Sequence, residues 1–215
     1  MEIVRMILII ALGIVFAIAS LVFGKIYYQK RFDKVLDIKF VWYIVLPCIC
    51  GLSAYMFERY GYGITKEIRL LFLMAALFII GEIDSREQII PNKILIVLLI
   101  LRTVLLIVDC ICYPQEILAI LLSAGLGMIY GSAVFLIARI FTKKSIGMGD
   151  IKLFGVIGYY LGSSSIFPAL IVSLIVAMVY GLSRVIRKKM TVKDSISFGP
   201  SIAIGTILVM FLGVN

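Results

Sequence analysis

Long apolar runs separated by short polar intervals make up most of the chain. A helix needs about 20 largely apolar residues to cross a bilayer. On this criterion the sequence predicts eight transmembrane segments, at residues 3–23, 40–57, 68–83, 94–108, 117–141, 151–161, 166–186 and 201–214. The sixth run is the shortest and is followed by Gly162 and three serines, so seven segments are the alternative. The predicted fold class is an all-α polytopic membrane protein, a bundle of about eight transmembrane segments.

The composition supports a membrane protein and excludes an ordinary soluble domain. Of the 215 residues, 63% are hydrophobic and 15% are charged, and the mean hydropathy is +1.15. A soluble domain of this size cannot bury so much apolar surface. The longest polar interval, residues 24–39, is too short to build a core of its own. We therefore expect a single membrane-embedded domain over residues 1–215.

The positive charge follows the topology of the predicted segments. The net charge is +9, and most of the basic residues lie in alternate intervals between the apolar runs. By the positive-inside rule these intervals face the cytoplasm and the N-terminus lies outside. This pattern predicts the lipid bilayer as a partner, and no nucleic acid. The basic residues of the predicted cytoplasmic side are Lys25, Lys30, Arg31, Lys34, Lys39, Arg86, Lys93, Arg139, Lys143, Lys144, Lys152, Arg184, Arg187, Lys188, Lys189 and Lys193.

Two aspartates stand at the boundaries of apolar runs. Asp84 follows the third run and Asp150 precedes the sixth, so the topology places both at the cytoplasmic face. A carboxylate at the edge of a membrane segment is costly unless it is protonated, paired or hydrated, which makes it a candidate for function. The sequence therefore predicts that Asp84 and Asp150 meet and act together.

The chemistry expected of such a pair is acid–base hydrolysis. Two carboxyl groups within about 3 Å share a proton, because both cannot ionise comfortably. The ionised carboxylate can take a proton from water while the protonated one donates a hydrogen bond to a peptide carbonyl. The chain has no histidine, so this chemistry falls to carboxylates. We predict Asp84 and Asp150 as the catalytic dyad of a peptidase.

No metal site is expected. The four cysteines form two pairs, Cys48 with Cys50 and Cys110 with Cys112, and each pair has one intervening residue. Zinc and redox motifs of cysteine normally have two or more intervening residues, and often a nearby histidine. We interpret these cysteines as small packing residues.

Four further residues are predicted to bind substrate. Gly147 and Gly149 lack Cβ atoms and would leave room for an extended chain beside the second aspartate. Lys152 would orient a carboxylate or the substrate backbone, and Glu82 would contact a basic substrate. The two charged residues also have plainer alternatives. Lys152 would reach the lipid headgroups, and Glu82 would be an interfacial charge.

The two aspartates also have plainer structural interpretations. Asp150 in a GxGD sequence is also typical of a helix N-terminal cap. Asp84 beside Arg86 is equally compatible with a solvated charge at a helix end.

These motifs together resemble the type IV prepilin peptidases, which are polytopic aspartic proteases of the GxGD group. Three matches carry the resemblance and extend over residues of about 70 to 210. They are Asp84 followed by Pro91-Asn92, Gly147-Met148-Gly149-Asp150-Ile151-Lys152-Leu153, and Phe198-Gly199-Pro200 with Gly205.

The resemblance implies cleavage of short basic leader peptides from prepilin-like proteins at the cytoplasmic face of the bacterial inner membrane, with Asp84 and Asp150 as the dyad. It implies roles in type IV pili or protein secretion. Full-length members carry a cytoplasmic insert with paired CxxC motifs, and many also N-methylate the product with S-adenosylmethionine. Residues 24–39 contain no cysteine, so we expect a peptidase-only short form without a cofactor. A bifunctional peptidase/N-methyltransferase is the alternative.

Two other classes of function are compatible with parts of the pattern. A proton- or cation-coupled transporter would use the same carboxylates as ion sites, but it predicts paired broken helices in two related halves, and the sequence shows one short segment. A catalytically silent subunit of a pilus assembly machine would keep the fold without needing both aspartates.

Overall fold

The computed structural model describes residues 2–141, 147–186 and 197–213, and in this part of the chain the regular structure is helical. Each of the eight predicted segments corresponds to one α-helix, which confirms the predicted all-α class. The helices are α1 (Glu2–Phe32), α2 (Trp42–Arg59), α3 (Ile64–Glu87), α4 (Asn92–Cys112), α5 (Ile117–Phe141), α6 (Met148–Leu161), α7 (Ile166–Ile186) and α8 (Gly199–Phe211), with a 3₁₀ turn at Pro114–Glu116. Of the predicted cytoplasmic basic residues, those that lie outside the described part of the chain are Lys143, Lys144, Arg187, Lys188, Lys189 and Lys193.

Among the described residues, four helices are long and apolar enough to cross a membrane, which identifies a multi-pass membrane protein. The qualifying stretches are Val4–Phe32, Asn92–Cys112, Pro114–Phe141 and Ile166–Arg184, and Gly199–Phe211 is a shorter apolar helix. The placement of the N-terminus outside stays a prediction.

The first helix is longer than its apolar run. The run ends at Phe23, but α1 continues through a basic stretch to Phe32. Tyr28 is buried and its ring packs on that of Phe32 with centroids 5.0 Å apart. A Cβ added to Gly24 would collide with the side chain of Ile79. Hydropathy alone therefore ends this helix too early, because tertiary packing holds its polar last turns.

The chain divides into two compact units, Met1–Ile79 and Ile80–Asn215. The first contains α1, α2 and the N-terminal part of α3. Its packing includes the rings of Trp42 and Phe78, with centroids 4.9 Å apart. The second contains the end of α3 and helices α4 to α8, and it carries both candidate aspartates. The expectation of a single membrane domain stays a prediction.

In the second unit, α5 and α6 pack at very short distance. Gly127 of α5 and Gly158 of α6 face each other so closely that a Cβ on either residue would overlap the backbone of the other helix. Small residues at such crossings let two backbones approach in a membrane protein. The contact fixes the short helix α6, which carries Asp150 at its other end.

A buried arginine also holds α6. Arg102 of α4 is 2% exposed, and its Nε donates a 3.0 Å hydrogen bond to the carbonyl oxygen of Tyr159 near the end of α6. Its Nη1 lies 3.2 Å from Oδ2 of Asp109, which completes a buried ion pair. The last carbonyls of a helix lack partners within the helix, so the arginine provides one. The hydroxyl of Tyr160 also donates to the carbonyl oxygen of Leu98, at 2.8 Å.

Candidate active site

Asp84 lies in the last turn of α3, where the helix leaves its apolar run. It is 5% exposed, and its Oδ2 accepts a 2.8 Å hydrogen bond from the backbone N–H of Gly199, the first residue of α8. The first N–H groups of a helix have no intrahelical acceptor. Asp84 therefore connects the end of one helix to the beginning of another, and a solvated charge at a helix end is the wrong interpretation.

Asp150 lies in the first turn of α6. Gly147 occupies the N-cap position in an extended conformation, with φ −66° and ψ 140°, and its backbone N–H donates to the Asp150 carboxylate. This is the back-bonding half of a capping box. The helix-cap interpretation is therefore correct as local geometry. Asp150 also lines a cavity, so the cap is not its whole role.

The two aspartates line one cavity. The pocket has a volume of about 300 Å³, and the α3–α4 connection and the start of α6 form its walls. Its lining residues are Asp84, Gln88, Ile89, Ile90, Asn92, Gly147, Met148, Gly149, Asp150 and Lys152. The predicted meeting of Asp84 with Asp150 at one place is thus what the structure shows.

The cavity changes the pKa values of both carboxyls. Both aspartates lie outside the four helices that could cross a membrane and outside the shorter apolar helix Gly199–Phe211. Burial raises the pKa of the Asp84 carboxyl above its usual value of 3.8, and the Gly199 N–H acts in the opposite direction. Burial, followed by the charge of Asp84, raises the pKa of the Asp150 carboxyl to about 6, against the effect of the Gly147 N–H. Desolvation and a neighbouring like charge both favour the protonated form. The pair is therefore suited to hold one proton up to about pH 6.

Three of the four predicted substrate-binding residues line this cavity and one does not. Gly147, Gly149 and Lys152 are in its wall. The Lys152 ammonium donates a 3.2 Å hydrogen bond to Oδ1 of Asn92, so it contacts a neighbouring helix. Glu82 instead pairs with Arg86 across one helical turn, at 2.5 Å, and is not among the lining residues.

Gly149 lies where a side chain would meet the α3–α4 connection. A Cβ at Gly149 would lie 3.0 Å from the Cβ of Ile90. The glycine thus lets the first turn of α6 pack against Ile90, which follows α3. This is a packing reason for glycine, in addition to the room for substrate that the sequence suggested.

Gly199 and Asn92 also belong to the site, although neither is among the residues predicted from the sequence to act there. A Cβ on Gly199 would lie 2.6–2.8 Å from three atoms of Asp84, and Asn92 lines the cavity beside Lys152. Both belong to the matched motifs, Phe198-Gly199-Pro200 and Pro91-Asn92. The motifs were therefore the signal that could have identified both residues. Gly199 lies more than a hundred residues from Asp84, however, so the sequence does not indicate that the two are in contact.

The arrangement is suited to carboxylate acid–base chemistry. Among the described residues, no group of three or more His, Cys, Asp or Glu is placed to hold a metal ion. Two carboxyls of raised pKa in one cavity can activate a water molecule and polarise a carbonyl without a covalent intermediate.

Two curated proteins are similar to this chain, and both are described as "Prepilin leader peptidase/N-methyltransferase". The Bacillus subtilis protein is 29% identical over 165 residues, which are 75% of this chain and 64% of that protein. The Xanthomonas campestris pv. campestris protein is 27% identical over 171 residues, 79% of this chain and 57% of that protein. The chain thus spans less than two thirds of the length of these relatives. No solved structure matches it.

A family model described as "Type IV leader peptidase family" matches residues 71–182. The match covers just over half of the chain and includes Asp84, the Pro91-Asn92 turn and the GxGD motif with Asp150. By this match the chain belongs to the type IV leader peptidase family.

Proposed function

We propose that this chain is a membrane aspartic endopeptidase that removes basic leader peptides from prepilin-like proteins. The observation that carries the proposal is the shared cavity of Asp84 and Asp150, two carboxyls whose pKa values are both raised. Family membership supports the peptidase over the transporter alternative. The reaction takes place at the cytoplasmic face of the bacterial inner membrane, where the basic intervals of the chain place both aspartates.

In the proposed mechanism, one carboxylate of the dyad takes a proton from a water molecule while the protonated partner donates a hydrogen bond to the scissile carbonyl oxygen. The water oxygen attacks the carbonyl carbon and forms a tetrahedral intermediate. Proton transfer to the amide nitrogen then breaks the C–N bond and releases the leader, and the dyad returns to its singly protonated form. The Gly199 and Gly147 N–H groups hold the two carboxylates in place during these steps.

Asp84 and Asp150 are the catalytic residues of this proposal, and Gly147, Gly149 and Lys152 are the residues beside the substrate. Glu82 contributes a carboxylate on the same turn as Asp84, and a basic leader is its proposed contact. We propose further that the chain requires no cofactor and does not use S-adenosylmethionine, because residues 24–39 contain no cysteine.

The test is removal of a leader by the detergent-purified chain, followed by mass spectrometry of the new N-terminus. Asp84→Asn and Asp150→Asn, made singly, should each lower the cleavage rate by about 10²-fold or more. Glu116→Gln, an exposed carboxyl in the 3₁₀ turn, is the matched control and should cleave normally. An aspartate variant that is produced at the normal level and still cleaves would refute the dyad. With S-adenosylmethionine added to the assay, a product heavier by one methyl group would refute the peptidase-only form.

A further inference from the structure

Gln88 directly follows α3 and has a backbone conformation that residues with side chains rarely adopt. Its φ is +52°, and among the described residues Asp33 is the only other non-glycine residue with a positive φ. This left-handed conformation brings the Cβ atom close to the following carbonyl oxygen, so glycine is the favoured residue just after a helix. A glutamine at position 88 therefore costs the fold free energy that a glycine would not cost.

Asp33 provides an internal comparison, because it follows α1 in the same way, with φ +53°. Its backbone N–H donates to the carbonyl oxygen of Gln29 at 3.0 Å, and the N–H of Gln88 donates to that of Asp84 at 2.9 Å. The two positions thus end their helices with the same conformation and the same hydrogen bond. They differ in their surroundings, since Gln88 lines the aspartate cavity and Asp33 does not.

The Gln88 side chain presents an unbonded carboxamide to this cavity. The residue is exposed, and within the described part of the chain its carboxamide has no hydrogen-bond partner. Two other polar residues of the wall, Asn92 and Lys152, are bonded to each other at 3.2 Å. A carboxamide carries N–H donors and a carbonyl acceptor side by side, and these groups match the C=O and N–H of an extended peptide backbone.

We propose that the Gln88 carboxamide binds the backbone of the substrate next to the scissile bond, and that the left-handed conformation of residue 88 directs the side chain to this contact. The inference rests on the proposed function and adds a substrate-binding residue to it. Strained conformations concentrate at functional sites, where the contact that they allow outweighs their cost. Because Gln88 is bonded to the last turn of α3, the substrate backbone and the Asp84 carboxyl are held by the same end of the helix.

Gln88→Gly separates stability from activity, because it relieves the backbone and removes the carboxamide. It should raise the midpoint of thermal unfolding in detergent by about 2 °C and lower kcat/KM for leader removal by about tenfold. Asp33→Gly is the matched control, which should raise the midpoint similarly and leave kcat/KM unchanged. A lower midpoint or full activity of Gln88→Gly would overturn the proposal, as would an equal loss of activity in the two variants.

Gln88→Met isolates the carboxamide, since methionine has a similar length and keeps the cost of the left-handed conformation. It should lose as much activity as Gln88→Gly, mainly through KM, while the midpoint of thermal unfolding stays unchanged. Gln88→Asn keeps a carboxamide and tolerates this conformation, so it should retain more activity than Gln88→Met. Equal kcat/KM for Gln88→Met and the unsubstituted chain would refute the contact.

A contact to the backbone also predicts an effect of the substrate main chain. In peptides that span the leader junction, an ester in place of one amide beside the scissile bond removes one N–H donor. At the position that contacts Gln88, the ester should lower kcat/KM about as much as Gln88→Met does, and the two changes together should add little. Additive losses at every position would overturn the backbone contact. The proposed function fails separately, when the unsubstituted chain does not cleave the prepilin at all.

Discussion

The backbone N–H of Gly199 lies 2.8 Å from Oδ2 of Asp84, and this hydrogen bond joins the start of α8 to the end of α3. A Cβ on Gly199 would lie 2.6 Å from the same oxygen. Position 199 therefore accepts only glycine while the carboxylate remains where it is. The Phe198-Gly199-Pro200 motif reaches the candidate site through this contact.

Gly199→Ala tests that contact. The added methyl group must displace the Asp84 carboxylate, so we expect leader cleavage to fall by about tenfold or more, while the chain still accumulates in the membrane. The measurement is kcat/KM of the detergent-purified variant.

Gly125→Ala is the matched control for this substitution, because nothing lies within 4 Å of a Cβ at that position. It should retain the activity of the unsubstituted chain. Full activity of Gly199→Ala would contradict a positioning role for residue 199.

The pH dependence of cleavage should follow the shared proton of the dyad. Because the pKa of Asp150 is raised to about 6, the pair keeps one proton up to about that pH. The rate should fall above it as this last proton is lost. It should also fall at low pH, where the ionised member becomes protonated.

The measurement is kcat/KM for leader removal from about pH 4 to 9. Glu116→Gln should give the same profile, because its carboxyl is exposed and distant in sequence from both aspartates. A rate that is constant across this range would show that the carboxyls do not exchange protons in the reaction.

The buried pair of Arg102 and Asp109 predicts a stability effect. Arg102→Met leaves the Asp109 carboxylate buried without its cation and removes the bond to the Tyr159 carbonyl. We expect the free energy of unfolding to fall by about 3–5 kcal/mol. The double variant Arg102→Met with Asp109→Leu should recover most of this loss, since neither charge of the pair remains.

Thermal unfolding in detergent measures this effect. Arg86→Met, which breaks the more exposed pair with Glu82, is the control and should cost less than about 1 kcal/mol. If the double variant is as unstable as Arg102→Met alone, the loss does not come from separating Asp109 from the Arg102 cation.

Local sequence determined most of the architecture. In a bilayer, an apolar run of this length can satisfy its backbone hydrogen-bonding groups only as a helix, because each group must find its partner within the segment. The eight runs therefore became eight helices. The alternation of basic intervals also predicts Asp84 and Asp150 at one face of the membrane, without reference to their contacts. Hydropathy did not predict the extension of α1 to Phe32, because the last turns of this helix depend on packing at Tyr28 and Gly24.

The contacts that complete the site depended on the tertiary structure alone. The rotation and register of packed helices determine these contacts. They decide which N–H donates to Asp84, whether Glu82 faces the cavity or Arg86, and which acceptors Arg102 contacts. Hydropathy gives the length of a helix but not its rotation about its own axis. The sequence by itself thus determined the helices, their order and the chemistry at their ends. Only the folded chain decided which backbone groups and side chains surround the two aspartates, because that depends on how closely the helices approach one another, as Gly127 does Gly158.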